Sequence, residues 1–317
     1  MKNCYAIILG LISMVSIELS GQSEFKTLNY LYGISGTRTA AGQHNREPNA
    51  EPAKWTNAIF ETTGVYPKLW SGDFLFQKEN IDSRWQMILE AERQWNKGAI
   101  INIMWHSCSP YFVEPCGWQD AGVLSPMSDE QWEALITPGT QPNQTFYKRL
   151  DELAIYLDYL KVKGVEVMFR PFHEMNQGLF WWGGRPGPRG TSEIFRMAHD
   201  YLTHAKGLDN LIWVWNIQDL DFEWAEYNPG EEYWDIMTLD VYDEAGFTDE
   251  NYHLMLEIAG DRLIGIGESS KLPTPELLEK QPRWVFFMAW AELVYRDNTK
   301  EEIRDLYLAP NVEVIKP

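Results

Sequence analysis

Short apolar segments alternate with amphipathic segments along most of the chain. Most of the apolar segments lack strict polar–apolar alternation, which is typical of strands buried on both faces of a parallel sheet. Eight such segments are predicted as strands: 30–34, 66–70, 99–105, 165–169, 211–215, 236–239, 263–266 and 284–289.

Helical spacing fills the gaps between these strands. The strongest predicted helix covers residues 145–163, where Leu150, Leu153, Leu157 and Leu160 form one stripe and Gly164 marks the end. A strand followed by a helix, repeated eight times, predicts an α/β fold built as a single (β/α)8 TIM barrel with its active site at the C-terminal ends of the strands. No Ser/Gly linker divides the chain, so we expect one domain over residues 22–317.

Three predicted loops are long, and all of them leave the C-terminal ends of strands. They are residues 107–142, 177–190 and 219–233. Barrel enzymes keep their active sites at this end, so long aromatic loops there predict the walls of a cleft.

The first 21 residues have the pattern of a secretory signal peptide. Lys2 supplies a positive charge, residues 5–17 are apolar, and Ser20 and Gly21 offer a cleavage zone. Export to the periplasm, the cell surface or the medium is therefore expected. In an oxidising compartment Cys108 and Cys116 could close a small loop, although two free thiols are the alternative.

The formal net charge of −19 bears on the choice of partner. Such a surface should repel nucleic acid and anionic lipid. The 15 Trp, 15 Tyr and 14 Phe residues suit a neutral ligand such as a sugar, because a flat ring can stack on a pyranose face. We therefore expect a soluble, monomeric protein that acts on a neutral glycan.

Two predicted strands lead to a glutamate just past their apolar runs, Glu174 in VEVMFRPFHEMN and Glu268 in LIGIGES. They follow the fourth and seventh predicted strands, which face each other across a barrel. Alternation is expected to place Arg170, Phe172 and Glu174 on one face, and Ile264, Ile266 and Glu268 on one face. Two carboxyl groups meeting at a barrel mouth predict a glycoside hydrolase.

The same residues resemble those of glycoside hydrolase family 26, a family of retaining TIM-barrel enzymes that are mainly endo-β-1,4-mannanases. Residues 170–176 (RPFHEMN) followed by 180–183 (FWWG) are similar to its acid/base region, and residues 266–269 (IGES) to its nucleophile strand. The resemblance implies that Glu174 is the acid/base and Glu268 the nucleophile. It implies a mannan substrate and requires no cofactor and no metal.

Further residues are candidates for substrate binding. Tyr242 could orient Glu268, and Trp290 could stack beneath the sugar being cleaved. Arg170 either pins a carboxylate or fills a buried ion pair. The other candidates at strand ends or in loops are His106, His173, Trp181, Trp182, Trp215 and Asp73.

Several alternatives stay open at this stage. An exo-acting, mannobiose-releasing enzyme or a β-glycanase for mixed-linkage glucan or β-xylan would use the same two carboxylates. A barrel that binds glycans without cleaving them is a third alternative, and a metal site from Asp240, Asp243 and Glu244 is a fourth. Zincin, CxxC and GxSxG motifs are absent from the sequence.

Overall fold

The computed structural model describes residues 23–119, 121–220 and 223–317, so the predicted signal segment lies outside the described residues. The strands along these residues are β1 (Thr39–His44), β2 (Tyr66–Pro67), β3 (Leu69–Phe74), β4 (Ile100–Trp105), β5 (Val167–Pro171), β6 (Leu211–Gln218), β7 (Ile236–Val241), β8 (Leu263–Ser269), β9 (Trp284–Ala289) and β10 (Val312–Ile315). All except β2 and β10 pair in parallel in chain order, and the pairing of β9 with β1 closes a barrel of eight. The predicted (β/α)8 fold is confirmed.

Helices cover the outside of the barrel and close one end. They are α1 (Lys26–Ile34), α2 (Lys54–Thr63), α3 (Lys78–Asp82), α4 (Arg84–Asn96), α5 (Asp129–Ile136), α6 (Gln141–Val162), α7 (Thr191–His199), α8 (Asp249–Ala259), α9 (Pro275–Lys280), α10 (Leu293–Asp297) and α11 (Lys300–Tyr307). A π-helical segment, Asp200–Ala205, continues α7, and short 3-10 turns lie at Trp224–Tyr227 and Glu231–Tyr233. No helix within the described ranges is long and apolar enough to cross a membrane.

Threonine caps explain where several helices begin. The Thr248, Thr274 and Thr299 side chains each accept a backbone N–H from the first turn of the following helix. Such a cap contributes about 1 kcal/mol by satisfying a donor that the helix leaves unpaired. These helices therefore begin at Asp249, Pro275 and Lys300.

The prediction for the first strand is wrong. Residues 30–34 belong to α1, because Leu28, Leu31 and Ile34 recur at helical spacing and are buried together. The first barrel strand is β1, whose sequence TAAGQH lacks the β-branched and aromatic character by which strands are recognised. Gly42 is required there, because a Cβ atom would lie 2.5 Å from the carbonyl oxygen of Phe287.

The second predicted strand is displaced. The barrel strand is β3, whereas Tyr66 and Pro67 form the separate strand β2, which pairs antiparallel with β10. In turn β10 pairs in parallel with the start of β1. The strand β2, which leads into the barrel strand β3, is therefore paired with the C-terminal strand β10 at the N-terminal end of the barrel.

Apolar side chains form an outer and an inner core, divided by the barrel wall. Outward residues such as Ile101, Phe169 and Ile264 pack in the large cluster beneath the helices. Inward residues such as Ile100, Met168 and Leu263 share a smaller cluster with α1. Burial of each such side chain contributes roughly 1.5–3 kcal/mol. The helix α1 thus closes the N-terminal end of the barrel and leaves the C-terminal end for the site.

Candidate active site

Three buried carboxylates converge at the C-terminal mouth of the barrel. One oxygen from each of Glu174, Asp240 and Glu268 lies within 4.8 Å of the others. Arg170, at the end of β5, lies between two of these carboxylates. Its Nη1 contacts both oxygens of Asp240 at 2.9 and 3.0 Å, and its Nη2 donates to Glu268 Oε1. The two alternatives for Arg170 therefore coincide, because it both pins a carboxylate and fills a buried ion pair.

Glu268 reaches the mouth through an irregularity in β8. Ile264 and Ile266 belong to the outer core, so regular alternation would direct residue 268 outward as well. The pairing with β7 instead skips a residue, from Leu239 opposite Ile266 to Asp240 opposite Glu268. The expected alternation was therefore wrong, and the bulge turns Glu268 to the inside of the barrel.

Gly267 makes this bulge possible. A Cβ atom at that position would lie 2.4 Å from Asp240 Oδ1 and 2.8 Å from Asn216 Nδ2. Those contacts are too short for any side chain, so the backbone itself fills the space beneath the carboxylates. The glycine before Glu268 is thus part of the construction of the site.

Glu174 reaches the mouth by a different irregularity. The strand β5 ends at Pro171, and Phe172 and Glu174 adopt φ angles of 52° and 53°. Phe172 turns outward against Trp105 and Phe146, so it does not share a face with Arg170 as the alternation predicted. Such left-handed conformations are uncommon for residues other than glycine and mark functional segments in many proteins.

The neighbouring strand β6 holds the strained segment in place. The Glu174 N–H donates to Asn216 Oδ1 at 2.6 Å, and Asn216 Nδ2 donates to Asp240 Oδ1 at 2.8 Å. Asn176 exchanges two further hydrogen bonds with the backbone of Gln218, at 2.8 and 2.9 Å. A single side chain, Asn216, therefore links the backbone of one carboxylate to the side chain of another.

The two predicted catalytic glutamates differ in their electrostatic surroundings. Burial, with added repulsion from Asp240 and Glu268, raises the pKa of Glu174 well above its usual value. Burial and Asp240 also raise the pKa of Glu268, but Arg170 and the Tyr242 hydroxyl oppose that rise. Among the described residues, no cation contacts the Glu174 carboxyl group, and the neutral amide of Gln177 is its only hydrogen-bond partner. These surroundings favour the proton on Glu174 and the negative charge on the carboxylates that contact Arg170.

Tyr242 hydrogen-bonds Glu268. Its hydroxyl donates to Glu268 Oε2 at 2.8 Å, which is the contact expected from the sequence. The backbone N–H groups of Tyr242 and Asp243 donate to Asp219 Oδ2 at 2.9 and 2.8 Å. Burial raises the pKa of Asp219 to about 6, although those two hydrogen bonds act in the opposite direction. Asp219 therefore fixes the loop from which Tyr242 reaches the carboxylate.

Histidines form the other wall of the cleft. His106 Nδ1 lies 2.7 Å from Asp73 Oδ2, and His44 Nε2 lies 3.7 Å from the same oxygen. Burial would raise the pKa of Asp73, but His106 and His44 outweigh that effect and lower it. Burial lowers the pKa of His44 to about 4 and that of His173 well below its usual value. His44 and His173 are therefore neutral at physiological pH.

Trp290 and His173 also lie on this side of the barrel. Trp290 stacks on His44 with ring centres 4.2 Å apart and planes inclined by 15°, so one face of the indole is covered by protein. The His173 ring lies 4.5 Å from that of His106, although strict alternation along the strand would turn it away from the cleft. The left-handed residues on either side of His173 explain that difference.

Three of the tryptophans predicted to bind substrate lie elsewhere. Trp215 points outward from β6 and packs on Trp234 with ring centres 5.3 Å apart, so it does not face the cleft. Trp181 is 2% exposed and donates to the carbonyl of Ser107, whereas Trp182 is fully buried and donates to that of His173. Trp181 and Trp182 support the cleft walls from behind and offer no open face.

Other residues of the site had no predicted catalytic role: Asn216 and Trp118 were not singled out, and Asp240 was considered only as a ligand of an alternative metal site. Asn216 and Asp240 close strand-end motifs, yet their contacts with Glu174 and Arg170 depend on the strand register. Trp118, in the long loop after β4, lies edge-on to His106 with ring centres 5.5 Å apart and is partly exposed. The two cysteines could have drawn attention to this loop, because the disulfide Cys108–Cys116 anchors the segment that precedes Trp118.

An eight-stranded barrel with paired carboxylates at its C-terminal mouth is the architecture of a TIM-barrel glycoside hydrolase. Within that class, the chain belongs to glycosyl hydrolase family 26, whose family profile matches residues 19–312.

Known proteins of this family resemble the chain over most of its length. It is 27% identical to a mannan endo-1,4-beta-mannosidase of Thermothelomyces thermophilus, over 90% of this chain and 59% of that protein. It is 30% identical to mannan endo-1,4-beta-mannosidase A and B of Caldalkalibacillus mannanilyticus, over 81% of this chain and 53% of that protein. The chain thus spans little more than half the length of these two relatives. The structure of GH26A from Muricauda sp. matches with a TM-score of 0.86 at 31% identity, over 91% of this chain and 94% of that chain.

Proposed function

We propose that the protein is a retaining endo-β-1,4-mannanase that cleaves internal bonds of mannan, galactomannan or glucomannan. The observation that carries this proposal is the approach of Glu174 and Glu268 to within 4.8 Å. Retaining glycosidases hold their carboxyl groups about 5–5.5 Å apart, whereas inverting enzymes leave about 6.5–9.5 Å for a water molecule. The names of the two mannosidase relatives support β-mannan as the substrate.

In the first step, Glu174 acts as the acid and Glu268 as the nucleophile. Glu174 gives its proton to the glycosidic oxygen, which leaves with the electrons of the broken bond as a hydroxyl group. Glu268 attacks the anomeric carbon and forms a glycosyl ester. The Tyr242 hydroxyl and Arg170 hold the attacking carboxylate ionised and oriented until the new bond forms.

In the second step, the roles of the two carboxyl groups follow from charge. Once Glu268 is an ester it carries no negative charge, so one of the causes that raise the pKa of Glu174 is removed. Glu174, now ionised, takes a proton from the incoming water as that water attacks the anomeric carbon. The Glu268 carboxylate leaves, and the proton returned to Glu174 restores the starting state.

The cleft walls supply the contacts that hold the sugar. His106 Nδ1 is engaged by Asp73, which leaves Nε2 as the nitrogen that can meet a sugar hydroxyl. The uncovered face of Trp290 is the stacking surface for the sugar whose bond is cleaved. His173 completes this wall beside His106.

A time course of product release tests the proposal. Purified protein is incubated with linear mannan, mixed-linkage glucan and β-xylan, with Glu268→Gln protein as the matched control. We expect a spread of oligosaccharides from mannan, with β-configured reducing ends in the first proton NMR spectra. Accumulation of mannobiose alone from the first minutes would indicate an exo enzyme, and faster cleavage of glucan or xylan would contradict the mannan assignment. Initial products with α-configured ends would contradict retention, and glycan binding without any cleavage would indicate a non-catalytic barrel.

We further propose that the protein is exported by residues 1–21 and acts as a monomer. A charged start, an apolar run and small residues support the signal peptide, and the disulfide between Cys108 and Cys116 suits an oxidising compartment. Cell fractionation with N-terminal sequencing of the product tests export. An uncleaved protein in the cytoplasm would contradict it, and light scattering tests the monomer.

A further inference from the structure

A π-helical segment on the outside of the barrel brings two histidines together. The helix α7 ends at His199, and residues Asp200–Ala205 continue it as a π-helix, in which the Lys206 N–H donates to the Tyr201 carbonyl five residues earlier at 2.9 Å. In an α-helix, residues five apart point in directions that differ by roughly 140°. The wider turn of a π-helix brings such residues closer to one side, and the ring centres of His199 and His204 lie 5.6 Å apart. π-Helical insertions are rare and frequently mark functional sites.

Asp200 lies between the two imidazoles. Its Oδ1 is 3.2 Å from His199 Nδ1 and 3.9 Å from His204 Nε2. One ligand atom from each of the three residues lies within 4.8 Å of the other two. In a tetrahedral zinc site with bonds of 2.0–2.1 Å, neighbouring ligand atoms are roughly 3.3 Å apart. The pair of His199 and Asp200 already has about that separation, and the third residue, His204, is exposed.

The surroundings hold one histidine still and leave the carboxylate without a competing cation. The His199 ring packs against Trp213 and Tyr233, with ring centres 5.0 Å apart in both cases. Within the described part of the chain, the only ion pairs of Asp200 are those with His199 and His204. The nearby Lys206 is engaged by Asp151 at 2.5 Å. The ligand set is therefore partly preorganised and electrostatically suited to a cation.

We propose that His199, Asp200 and His204 form a binding site for a divalent transition metal of the zinc type. Two imidazole nitrogens and one carboxylate oxygen are a donor set that suits zinc, copper or nickel better than calcium or magnesium, and water would complete the coordination. The metal would join the end of α7 to the π-helical segment and stabilise the folded chain. The site lies on the outer helix layer, and the proposal does not depend on the catalytic assignment.

Zinc binding to the full chain tests the proposal. Protein treated with a chelator and dialysed is titrated with ZnCl₂ by calorimetry, and its melting temperature is followed as zinc is added. We expect one saturable site outside the cleft and a rise in Tm that grows with the logarithm of the zinc concentration. Co²⁺ serves as a spectroscopic probe, because intense visible absorption reports tetrahedral coordination by nitrogen and oxygen.

Matched variants locate the binding. His204→Ala and Asp200→Asn should each lose the saturable site, the Tm shift and the cobalt spectrum while retaining glycanase activity. His253→Ala, which removes an exposed histidine from α8, should retain all three. The experiment is repeated in a Glu268→Gln background, since the carboxylates of the cleft could also take up metal. Zinc binding that survives His204→Ala, or the absence of saturable binding in the unaltered chain, would overturn the proposal.

Discussion

The two glutamates of the cleft lie on segments built in opposite ways. Glu268 is part of a continuous strand, where a bulge at Gly267 turns it inward and a cation and a hydroxyl meet its oxygens. Glu174 lies beyond the end of β5 in a left-handed turn, held through its backbone by Asn216, and no cation of the described part of the chain contacts its carboxyl group. The Glu268 carboxylate is held by groups that contact its charged oxygens, whereas Glu174 is held by a side chain that contacts its backbone.

In the proposed mechanism, this difference separates the acid from the nucleophile. A carboxylate paired with Arg170 is stabilised in its ionised form, whereas a buried carboxyl group without a cation is stabilised in its protonated form. Two glutamate side chains less than 5 Å apart are thus suited to different roles, because the backbone segments that position them differ. The following experiments test that comparison.

The largest effect should come from Glu268→Gln. Removal of the nucleophile eliminates the ester intermediate, and we expect mannan hydrolysis to fall by at least about 10⁴-fold for any substrate. Glu174→Gln should cost about 10²–10⁴-fold on mannan. An aryl mannobioside whose leaving group departs without a proton should restore the first step in Glu174→Gln only.

Stopped-flow measurement of phenolate release would show that difference directly. Glu174→Gln should give a burst of one equivalent followed by slow turnover, because hydrolysis of the ester lacks its base. Glu268→Gln should give no burst. A burst from Glu268→Gln and none from Glu174→Gln would show that the roles of the two glutamates are the reverse of those proposed.

Replacement of Arg170 by Gln should have the next largest effect, and this effect is on stability. It leaves Asp240 and Glu268 buried without their cation, which typically costs 3–5 kcal/mol of the free energy of unfolding. Urea titration at neutral pH measures this loss. Arg296→Gln breaks an exposed pair with Asp297 and should cost about 0–1 kcal/mol, so it serves as the matched control. Equal losses in the two variants would show that the buried pairs are not holding the site together.

Tyr242→Phe should have an intermediate effect on catalysis. It removes one hydrogen bond to the Glu268 carboxylate, which is worth about 1.5–3 kcal/mol, so kcat should fall roughly 10- to 100-fold. The pKa of Glu268 should rise, and the acid limb of the pH profile should move to higher pH. Tyr295→Phe, which loses a hydroxyl contact with Thr62 outside the cleft, should leave kcat and the profile unchanged. An unshifted acid limb in Tyr242→Phe would contradict the orienting role.

The smallest effect should be a pH-dependent gain of stability in Glu174→Gln. The folded pKa of Glu174 is raised, so between its unfolded pKa of about 4.3 and its folded value the unfolded chain binds fewer protons than the folded one. The wild-type protein therefore loses stability as pH rises through that window, and the variant avoids the loss. Thermal unfolding from pH 4 to pH 9, at about one-unit steps, should show Tm values that diverge in favour of Glu174→Gln. Parallel Tm curves would indicate that Glu174 titrates normally.

The sequence predicted the barrel because six of its strands, β4 to β9, contain clear apolar runs and its helices are clearly amphipathic. It missed β1, since TAAGQH carries no strand signal and is defined by its pairing with β3, β9 and β10. The segment 30–34 was mistaken for a strand because a short apolar run fits either period.

The two glutamates were found, but the reasoning that placed them was incomplete. Strict alternation would have directed Glu268 toward the helices, and only the register shift at Gly267 brings it inside. The same limit applies to Trp215, which ends a predicted strand yet faces the outer core. Bulges and left-handed turns depend on tertiary contacts such as those of Asn216, and a single sequence does not reveal them.

The position of helix α1 determines where a support or a fused domain joined to the N-terminal side would lie relative to the cleft. It seals the barrel at the end opposite the carboxylates, and the N–H groups of Lys26 and Thr27 donate to the Glu166 carboxylate at 2.8 and 2.7 Å. A bead, a second domain or a cell-wall anchor joined ahead of Ser23 would therefore lie at the end of the barrel opposite the carboxylates. A long polymer would still approach the open mouth without obstruction.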